Sequence, residues 1–597
     1  MNFSNLCKYF QDLEETSSVT QMVQQLAALF AEADLAETPL IAYLSLGRLK
    51  PMYESLEFGL AEKMLYKVLI ATYGVGEGKV EALFEERGDL GLVAMELATD
   101  LGVGDKGKSV TQVYEKLVEI ALEAGRGSQE RKIAKLKQLL ESVRPESAKY
   151  IVRIVLGNMR LGFAEKTLIE ALSWLGAGDK SLKQEIEEKY FIYPDIGRIA
   201  QKFKEDGIAG IKDISIRAGV PVQPALCQRG KTAEEIIERM GGKAVAEYKL
   251  DGTRVQLHLD RSQEVEERGQ VMFELADIEK PKFLVKTFTR NLEETTYMFP
   301  EIIKTVGDLE LESVILDGEA IAYDPNTGEF LPFQQTMKRK RKYKVSEKAA
   351  ELPLRFFAFD ILFLNGKNYM EQPLISRRKL LESVLEENDT LVITPQEIVT
   401  SARDLAQLRE QAVERGLEGL VVKHLDSKYE AGSRGYTWLK YKREQRGKLE
   451  DTIDVVVLGY YRGRGRRSEL GIGAFLVGVY NAGKDRIESI AKIGTGLSDK
   501  EWREMKDICD ENSLREKPRN AVLSKKVIPD IWTAPEVFVE VQADEITRSP
   551  VHTAGSQGED AGYALRFPRF VRWREDKSLS NITTVQEIRE LYKLQYS

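Results

Sequence analysis

Cysteine is scarce in this chain, and long apolar runs are absent from it. Only Cys7, Cys227 and Cys509 occur in 597 residues, far apart and without a C-x-x-C pair. That spacing excludes a disulfide framework and a structural zinc site, and it fits a reducing compartment. No uninterrupted apolar stretch approaches the roughly 20 residues that a membrane-spanning helix requires, so no membrane partner is expected. The start, M-N-F-S-N-L-C-K-Y-F, lacks a basic region followed by an apolar stretch and a small-residue cleavage site. The expectation is therefore an intracellular, cytoplasmic location. No repeat of fixed period is present. An excess of positive charge is missing too: 87 Lys and Arg stand against 95 Asp and Glu, a formal net charge of -8. As an average, that balance argues against nucleic acid, whose binding depends on neutralising phosphates with lysine and arginine.

Local charge reverses the argument. Basic residues crowd at 338–344 (K-R-K-R-K-Y-K), 440–448 and 462–467, whereas much of the acidic charge sits on expected helices. One such run is as readily a solvated loop as a phosphate-binding patch, but three in the same half of the chain favour a polyanionic partner. Hydrophobic residues make up 43% and charged residues 30%, an ordinary globular balance. The length exceeds what one core usually organises, so several domains are expected.

Up to about residue 217 the apolar residues recur at helical spacing, as in Ile133, Leu136, Leu139 and Leu140. The reading is a helical domain at 1–218. Within it, G-S-Q (127–129) opens one helix and G-N-M-R-L-G-F-A-E-K-T (157–167) lies between two more. Free backbone N–H groups at such points can hold phosphates without reading bases, although helix punctuation alone also explains isolated glycines. After V-P-V-Q-P (220–224) strand-like segments alternate with helices, at 244–258, 314–323, 354–363 and 419–424, which marks a mixed α/β domain at 219–445. From 446 to 597 short β segments at 454–461, 473–480, 487–493 and 536–541 are separated by glycine-rich turns, the pattern of a small OB-type barrel.

The most informative segment is E-Y-K-L-D-G-T-R (247–254), where a strand runs into a turn. Asp251 and Gly252 supply turn chemistry that fixes the direction of Lys249 at the strand end. A lysine attacks only as the free amine, and with a reference pKa of about 10.4 fewer than roughly one in a thousand is free at neutral pH. Neighbouring cations, burial or a metal must therefore favour the neutral form. W-L-K-Y-K (438–442) puts Lys440 and Lys442 on one strand face, where both can line a pocket. Alone, Lys249 is equally an exposed strand lysine before a D-G turn. An ordered series follows it, however: T-R-N (289–291), L-D-G-E (316–319), F-F-A-F-D-I-L (356–362), E-G-L-V-V-K (418–423), R-G-Y-T-W-L-K-Y-K (434–442) and R-F-P-R-F-V-R-W-R-E-D-K (566–577).

With these motifs the sequence resembles the covalent nucleotidyltransferases, and within them the ATP-dependent DNA ligases of archaeal type, over nearly its whole length. The resemblance implies an α/β nucleotidyltransferase domain of ATP-grasp-like form between the helical and OB-fold domains. It implies that Lys249 attacks the α-phosphorus of ATP, expels pyrophosphate and becomes lysyl-AMP. AMP then passes to the 5'-phosphate of a nick, and the 3'-hydroxyl displaces it. The implied roles also make physical sense. Glu247 accepts from the adenine amino group and Phe359 stacks on the ring, although a core aromatic is the ordinary fate of a phenylalanine in such a run. Glu319 and Glu418 hold ribose and a divalent metal, magnesium or manganese, for which hard oxygen ligands suit. Arg254, Arg290, Arg434, Lys423, Lys440 and Lys442 grip phosphates. Arg574 and Lys577, with Arg566 and Arg569 beside them, arrange the pyrophosphate leaving group, which requires the barrel to hinge about 443–448.

The chain departs from the pattern at S-L-S-N-I-T-T after Lys577 and at A-L-C-Q-R-G around Cys227. The helical domain resembles the family's DNA-binding domain, with Arg160 as a phosphate contact. Nicked duplex DNA is then the partner, held by backbone and shape, with a sliding clamp as a further partner and a monomer as the working form. An mRNA guanylyltransferase or an RNA ligase shares the lysine chemistry, but neither accounts for the large helical domain. A NAD-dependent ligase lacks support without zinc cysteines. A non-catalytic DNA-binding protein gives no reason for a nucleophile, acids and phosphate-binding cations in series.

Overall fold

The computed structural model describes residues 1–597 other than 17, 55, 105, 231, 265–280, 326, 332–335, 337, 338, 340–344, 416, 434, 443–451, 464–466, 515, 557–560, 576, 580, 596 and 597. The chain divides into two compact units, Met1–Arg443 and Glu444–Ser597.

Helices from Phe3–Glu15 to Ile196–Lys212 make up the beginning of the first unit. A buried stripe at i, i+3, i+4 and i+7 accounts for the first of them, with Phe3, Leu6, Cys7, Phe10 and Leu13. Side-chain caps set several starts: Ser18, Asp89, Ser109 and Asp195 accept from free backbone N–H groups, and Ser109 with Gln112 forms a capping box. The helix Pro145–Val155 lies at the centre and is buried from Ser147 onward, including Arg153. That guanidinium is 2.6 Å from Asp89 and 3.0 Å from Glu14. Removing one partner of such a buried pair costs about 3–5 kcal/mol, because the other charge is then stranded. The 127–129 segment does open a helix, Ser128–Leu140, behind Gly127 at φ 74°, and 157–164 connects Pro145–Val155 to Glu165–Ala177.

Strands follow: β1 (Gln228–Arg229), β2 (Ala244–Lys249), β3 (Thr253–Asp260), β4 (Leu284–Thr289), β5 (Ser313–Ala322), β6 (Leu354–Leu364), β7 (Lys367–Asn368), β8 (Leu391–Ile393), β9 (Gln396–Val399), β10 (Gly419–His424) and β11 (Trp438–Lys442). They form two sheets, one in the order β1-β11-β10-β2-β9 and one in the order β4-β3-β5-β6-β7 with β8 beside β6. Helices Ala233–Arg239 and Ala402–Glu414 cover the first sheet through Ile236, Leu405 and Leu408 against Val422 and Leu439. Helices Pro300–Gly307 and Leu374–Val384 cover the second through Ile302, Val306 and Leu381 against Leu257, Leu316 and Ile361.

The 244–258 stretch, expected as one strand-like segment, is thus two strands in different sheets. Leu250, Asp251 and Gly252 carry the chain across. Gly252 is required less for turn dihedrals than for space, since a Cβ there would lie 2.5 Å from the Ala320 carbonyl oxygen of β5. Lys249 therefore ends one sheet and Arg254 begins in the other, which puts the site between them.

The second unit continues with β12 (Ile453–Tyr461), β13 (Ala474–Asn481), β14 (Arg486–Ile493), β15 (Ser513–Leu514), β16 (Ala521–Val522), β17 (Ile531–Thr533), β18 (Phe538–Gln542), β19 (Glu545–Ser549), β20 (Gly562–Arg566) and β21 (Arg569–Trp573). β12 is paired along both edges, with β13 on one and with β17 and β18 on the other, and β18 continues to β21. Trp502, Met505 and Cys509 of the helix Asp499–Glu511 pack on Val457, Phe475 and Val539. Among the described residues no helix is long and apolar enough to cross a membrane.

Candidate active site

One face of the first sheet supplies half of the site. Glu247 and Lys249 share that face of β2 by period-two alternation. The register sets Glu247 opposite Val421, Val421 opposite Lys440, and Lys423 opposite Trp438. All six side chains line a single cavity of about 480 Å³. Lys249 pairs across β10 with Gly419, so the preceding carboxylate, Glu418, reaches Lys249 Nζ at 3.0 Å. Both side chains stay partly open, at 25% and 29% exposure, as a group that must meet a substrate requires.

The second sheet supplies the facing wall. Arg254 of β3 lies directly opposite Glu319 of β5. Asp317 and Gly318 of β5 pair with Asp360 and Ala358 of β6, which leaves Phe359 unopposed in a bulge. A bulge re-aims the extra side chain, and here Phe359 lines the cavity with its ring edge-on to Trp438 at 6.0 Å. Gly318 makes the bulge sterically feasible, since a Cβ there would fall 2.4 Å from the Phe356 ring and 2.6 Å from the Phe357 carbonyl oxygen. Arg290, in the turn after β4, completes the lining from an exposed position.

Electrostatics differ between the ends of the cavity. At one, Glu247 and Lys423 form a buried ion pair at 2.6 Å. Burial pushes the Glu247 carboxyl above its ordinary range, and the Lys423 ammonium opposes the rise. Burial likewise raises the Cys227 thiol, while Arg254, Lys423, Lys249 and Lys440 pull it back. Four cations acting on one thiol in the cavity wall show how closely positive charge converges there. Burial pushes Glu319 up to about 7; Lys249 and Arg254 oppose this, and Asp317 and Glu418 reinforce it. Two half-buried carboxylates that repel each other form a hard-oxygen donor set whose charge a divalent cation relieves, so Glu319 and Glu418 fit such an ion.

Arg254 departs from the expected phosphate grip. Its guanidinium is bidentate to Asp317, with Nε at 3.1 Å and Nη2 at 2.6 Å, and Nη1 donates to the Ala225 carbonyl oxygen at 2.6 Å. The Tyr429 hydroxyl donates to the same Asp317 carboxylate. Arg254 still lines the cavity, but its fork is committed to this buried network. Asp317 lay inside the L-D-G-E motif without an assigned role. Tyr429, Trp438, Cys227 and Thr394 also line or brace the site; Trp438 and Cys227 lay in quoted segments without an assigned role, and Tyr429 and Thr394 lay in none.

Lys442 is in β11 on the alternation of Lys440, with its side chain outside the described residues, as are Arg434 and the 443–448 hinge segment. Arg160 is exposed, in a left-handed conformation at φ 56°, with Nη2 donating to the Gly88 carbonyl oxygen at 2.9 Å. Arg574 and Lys577 belong to the second unit, at 2.7 and 2.9 Å from Asp454. Of the basic run 338–344 only Arg339 is described, and of 462–467 only residues 462, 463 and 467, so both runs lie largely outside the described residues. Arg339 is buried and clamps Glu301 at 2.7 Å, and Arg467 donates to the carbonyl oxygens of Gly473 and Gly494 at 2.7 Å each. In both, backbone carbonyl oxygens accept from the guanidinium, and at Arg339 the Glu301 carboxylate does so as well.

Known proteins resemble the chain along its length. Family models match the chain as DNA ligase N terminus at 2–173, ATP dependent DNA ligase domain at 276–442 and ATP dependent DNA ligase C terminal region at 468–577. A probable DNA ligase of Dictyoglomus turgidum is 41% identical over 99% of this chain and 98% of its own length. DNA ligase 2 of Thermofilum pendens is 37% identical over 99% of this chain and 97% of its own. A solved chain described as Pmar-Lig_PreS3 is 16% identical, with a TM-score of 0.51 over 95% of this chain and 99% of that one, and shares the fold. Identity sustained from end to end, together with a lysine, two carboxylates and converging cations around one cavity, shows that the chain belongs to the ATP-dependent DNA ligase family.

Proposed function

We propose that this chain seals nicks in duplex DNA by carrying AMP on Lys249. The observation that carries the assignment is the Lys249 amine at 3.0 Å from Glu418, beside a cavity lined by Glu247, Phe359, Glu319 and Lys440. The amine must lose its proton before it attacks the α-phosphorus of ATP, and its ion pair with Glu418 fixes where the nitrogen stands. The new N–P bond forms as the bond to pyrophosphate breaks. Glu247 takes the adenine amino group, Phe359 the ring face, and Arg290, Lys423, Lys440, Lys442 and Arg434 serve the phosphates. Arg254 acts through its ion pair as the wall behind the ribose and α-phosphate. Glu319 and Glu418 would hold magnesium, or manganese in its place, which would supply charge neutralisation at the reacting phosphates.

The domains follow the same reading: a DNA-binding domain at 1–218 with Arg160 on phosphate, an ATP-grasp-like nucleotidyltransferase domain at 219–445, and an OB-fold domain at 446–597. The doubly paired β12 supports the last of these. Arg574 and Lys577 act on departing pyrophosphate. One chain carries every module, so it works as a monomer, and a sliding clamp is its recruiting partner. The test is mass spectrometry after incubation with ATP, GTP or NAD and a divalent metal, followed by nick-sealing assays. A gain of one AMP on the Lys249 peptide from ATP alone, absent in Lys249→Ala, is expected. AMP on any other residue, or sealing by Lys249→Ala, refutes the assignment.

A further inference from the structure

Thr394 lies between β8 and β9, and its main chain is fixed at both ends. Its N–H donates to the Ala358 carbonyl oxygen at 2.8 Å, and its own carbonyl oxygen accepts from Arg378 Nη1 at 2.8 Å. The residue is 2% exposed and lines the cavity, yet Oγ1 has no hydrogen-bond partner. Burying a hydroxyl unsatisfied is unfavourable, and a valine of the same shape would fill the place without that cost. A second orphan lines the same cavity. Glu247 Oε2 is engaged by Lys423 at 2.6 Å, but Oε1 is buried without a partner. Ala358, which holds Thr394, directly precedes Phe359, and Gln396, two residues beyond Thr394, pairs with Glu247, so acceptor, hydroxyl and ring belong to one end of the cavity.

An acceptor oxygen beside a hydroxyl complements the edge of adenine, where an amino donor flanks a ring-nitrogen acceptor. Guanine would set a carbonyl oxygen against the carboxylate. We infer that Thr394 Oγ1–H donates to the ring nitrogen next to the exocyclic amine of the bound nucleotide, making Thr394 a specificity-determining residue for ATP. This rests on the reading that the cavity adenylates Lys249.

The experiment measures initial rates of self-adenylation by the full-length protein, with the adduct mapped by mass spectrometry. Wild type, Thr394→Val and Thr394→Ser are each given ATP, 1-deaza-ATP and 7-deaza-ATP. Thr394→Val should raise the KM for ATP about 10-fold, the worth of one buried hydrogen bond, with little change in kcat, and Thr394→Ser should restore it. One of the two deaza analogues should lose about as much with the wild type and nothing further with Thr394→Val. An unchanged KM in Thr394→Val overturns the assignment, as does an analogue penalty that persists in it. Should the valine variant fail to fold, equal use of ATP and both analogues by the wild type overturns it as well. AMP on Lys249 in those failures leaves the nucleophile standing, whereas AMP elsewhere brings down the underlying reading instead.

Discussion

Asp317→Asn separates a structural wall from a direct phosphate grip at Arg254. Asp317 is 0% exposed and accepts from Arg254 Nε at 3.1 Å, from Nη2 at 2.6 Å and from the Tyr429 hydroxyl. Asparagine keeps one acceptor oxygen and turns an NH₂ group toward a guanidinium that offers only donors. Breaking one side of such a buried pair costs about 3–5 kcal/mol, because the remaining charge is stranded. Arg254→Met should cost a similar amount by stranding the carboxylate. The double variant removes both charges and should lose clearly less than the sum, with a coupling of about 2–3 kcal/mol. The assay is urea unfolding of wild type, both single variants and the double variant, with self-adenylation measured alongside. All three variants should adenylate poorly, since the network also holds the Ala225 carbonyl oxygen and with it the segment beside Cys227. Additive losses would refute the reasoning. So would an Asp317→Asn protein with normal stability whose released guanidinium lowers the KM for ATP.

Three further outcomes are expected. Gly318→Ala drives a Cβ to within 2.4 Å of the Phe356 ring, so unfolding should be easier by about 1–3 kcal/mol from overpacking, and the KM for ATP should rise as the Phe359 bulge shifts. His258 is fully buried, with Nδ1 accepting the Gly219 N–H and Nε2 against Gln256 Oε1, and burial followed by Lys286 pushes it down to about 3. Its contribution is complete above pH 6.5 and is lost as pH falls toward 3, because the unfolded chain takes a proton that the folded chain refuses. The loss totals about 5 kcal/mol, and the stability-versus-pH curve of His258→Gln should be flatter over that window by urea titration. Binding of a nicked duplex, measured by fluorescence anisotropy, should weaken linearly in log Kd against log salt, as phosphate recognition requires, and a salt-independent Kd would count against it.

What the sequence made legible and what it hid follow one physical division. Alternation in a strand is local, so E-Y-K sufficed to put Glu247 and Lys249 on one face, and W-L-K-Y-K sufficed to put Lys440 on the cavity. Pairing between strands is not local. Arg254 directly opposes Glu319, yet its fork takes Asp317 two residues away along β5, and no spacing in the chain announces a diagonal contact of that kind. The choice among Phe356, Phe357 and Phe359 is made by the register shift at Asp317 and Gly318, which depends on how two strands meet. Thr394 and Tyr429 sit in no motif at all; the cavity and the Asp317 network reach them from elements distant in sequence. A charge run is silent on the same point at Arg339. K-R-K-R-K-Y-K counts cations, but which of them turns inward is set by Glu301, 38 residues before Arg339.

The same division bears on the nucleophile. Chemistry asked for cations or burial to free the amine of Lys249, and the cavity does gather cations around Cys227. Yet the group closest to the amine among the described ion pairs is an acid, Glu418 at 3.0 Å. That pair holds the Lys249 nitrogen beside the cavity lined by Glu247, Glu319 and Lys440. Glu319 is raised to about 7, with burial first and the acids Asp317 and Glu418 reinforcing it. A divalent ion held by Glu319 and Glu418 would relieve the charge that these carboxylates place on each other, so the pair that fixes the nucleophile also shares its acid with the expected metal site.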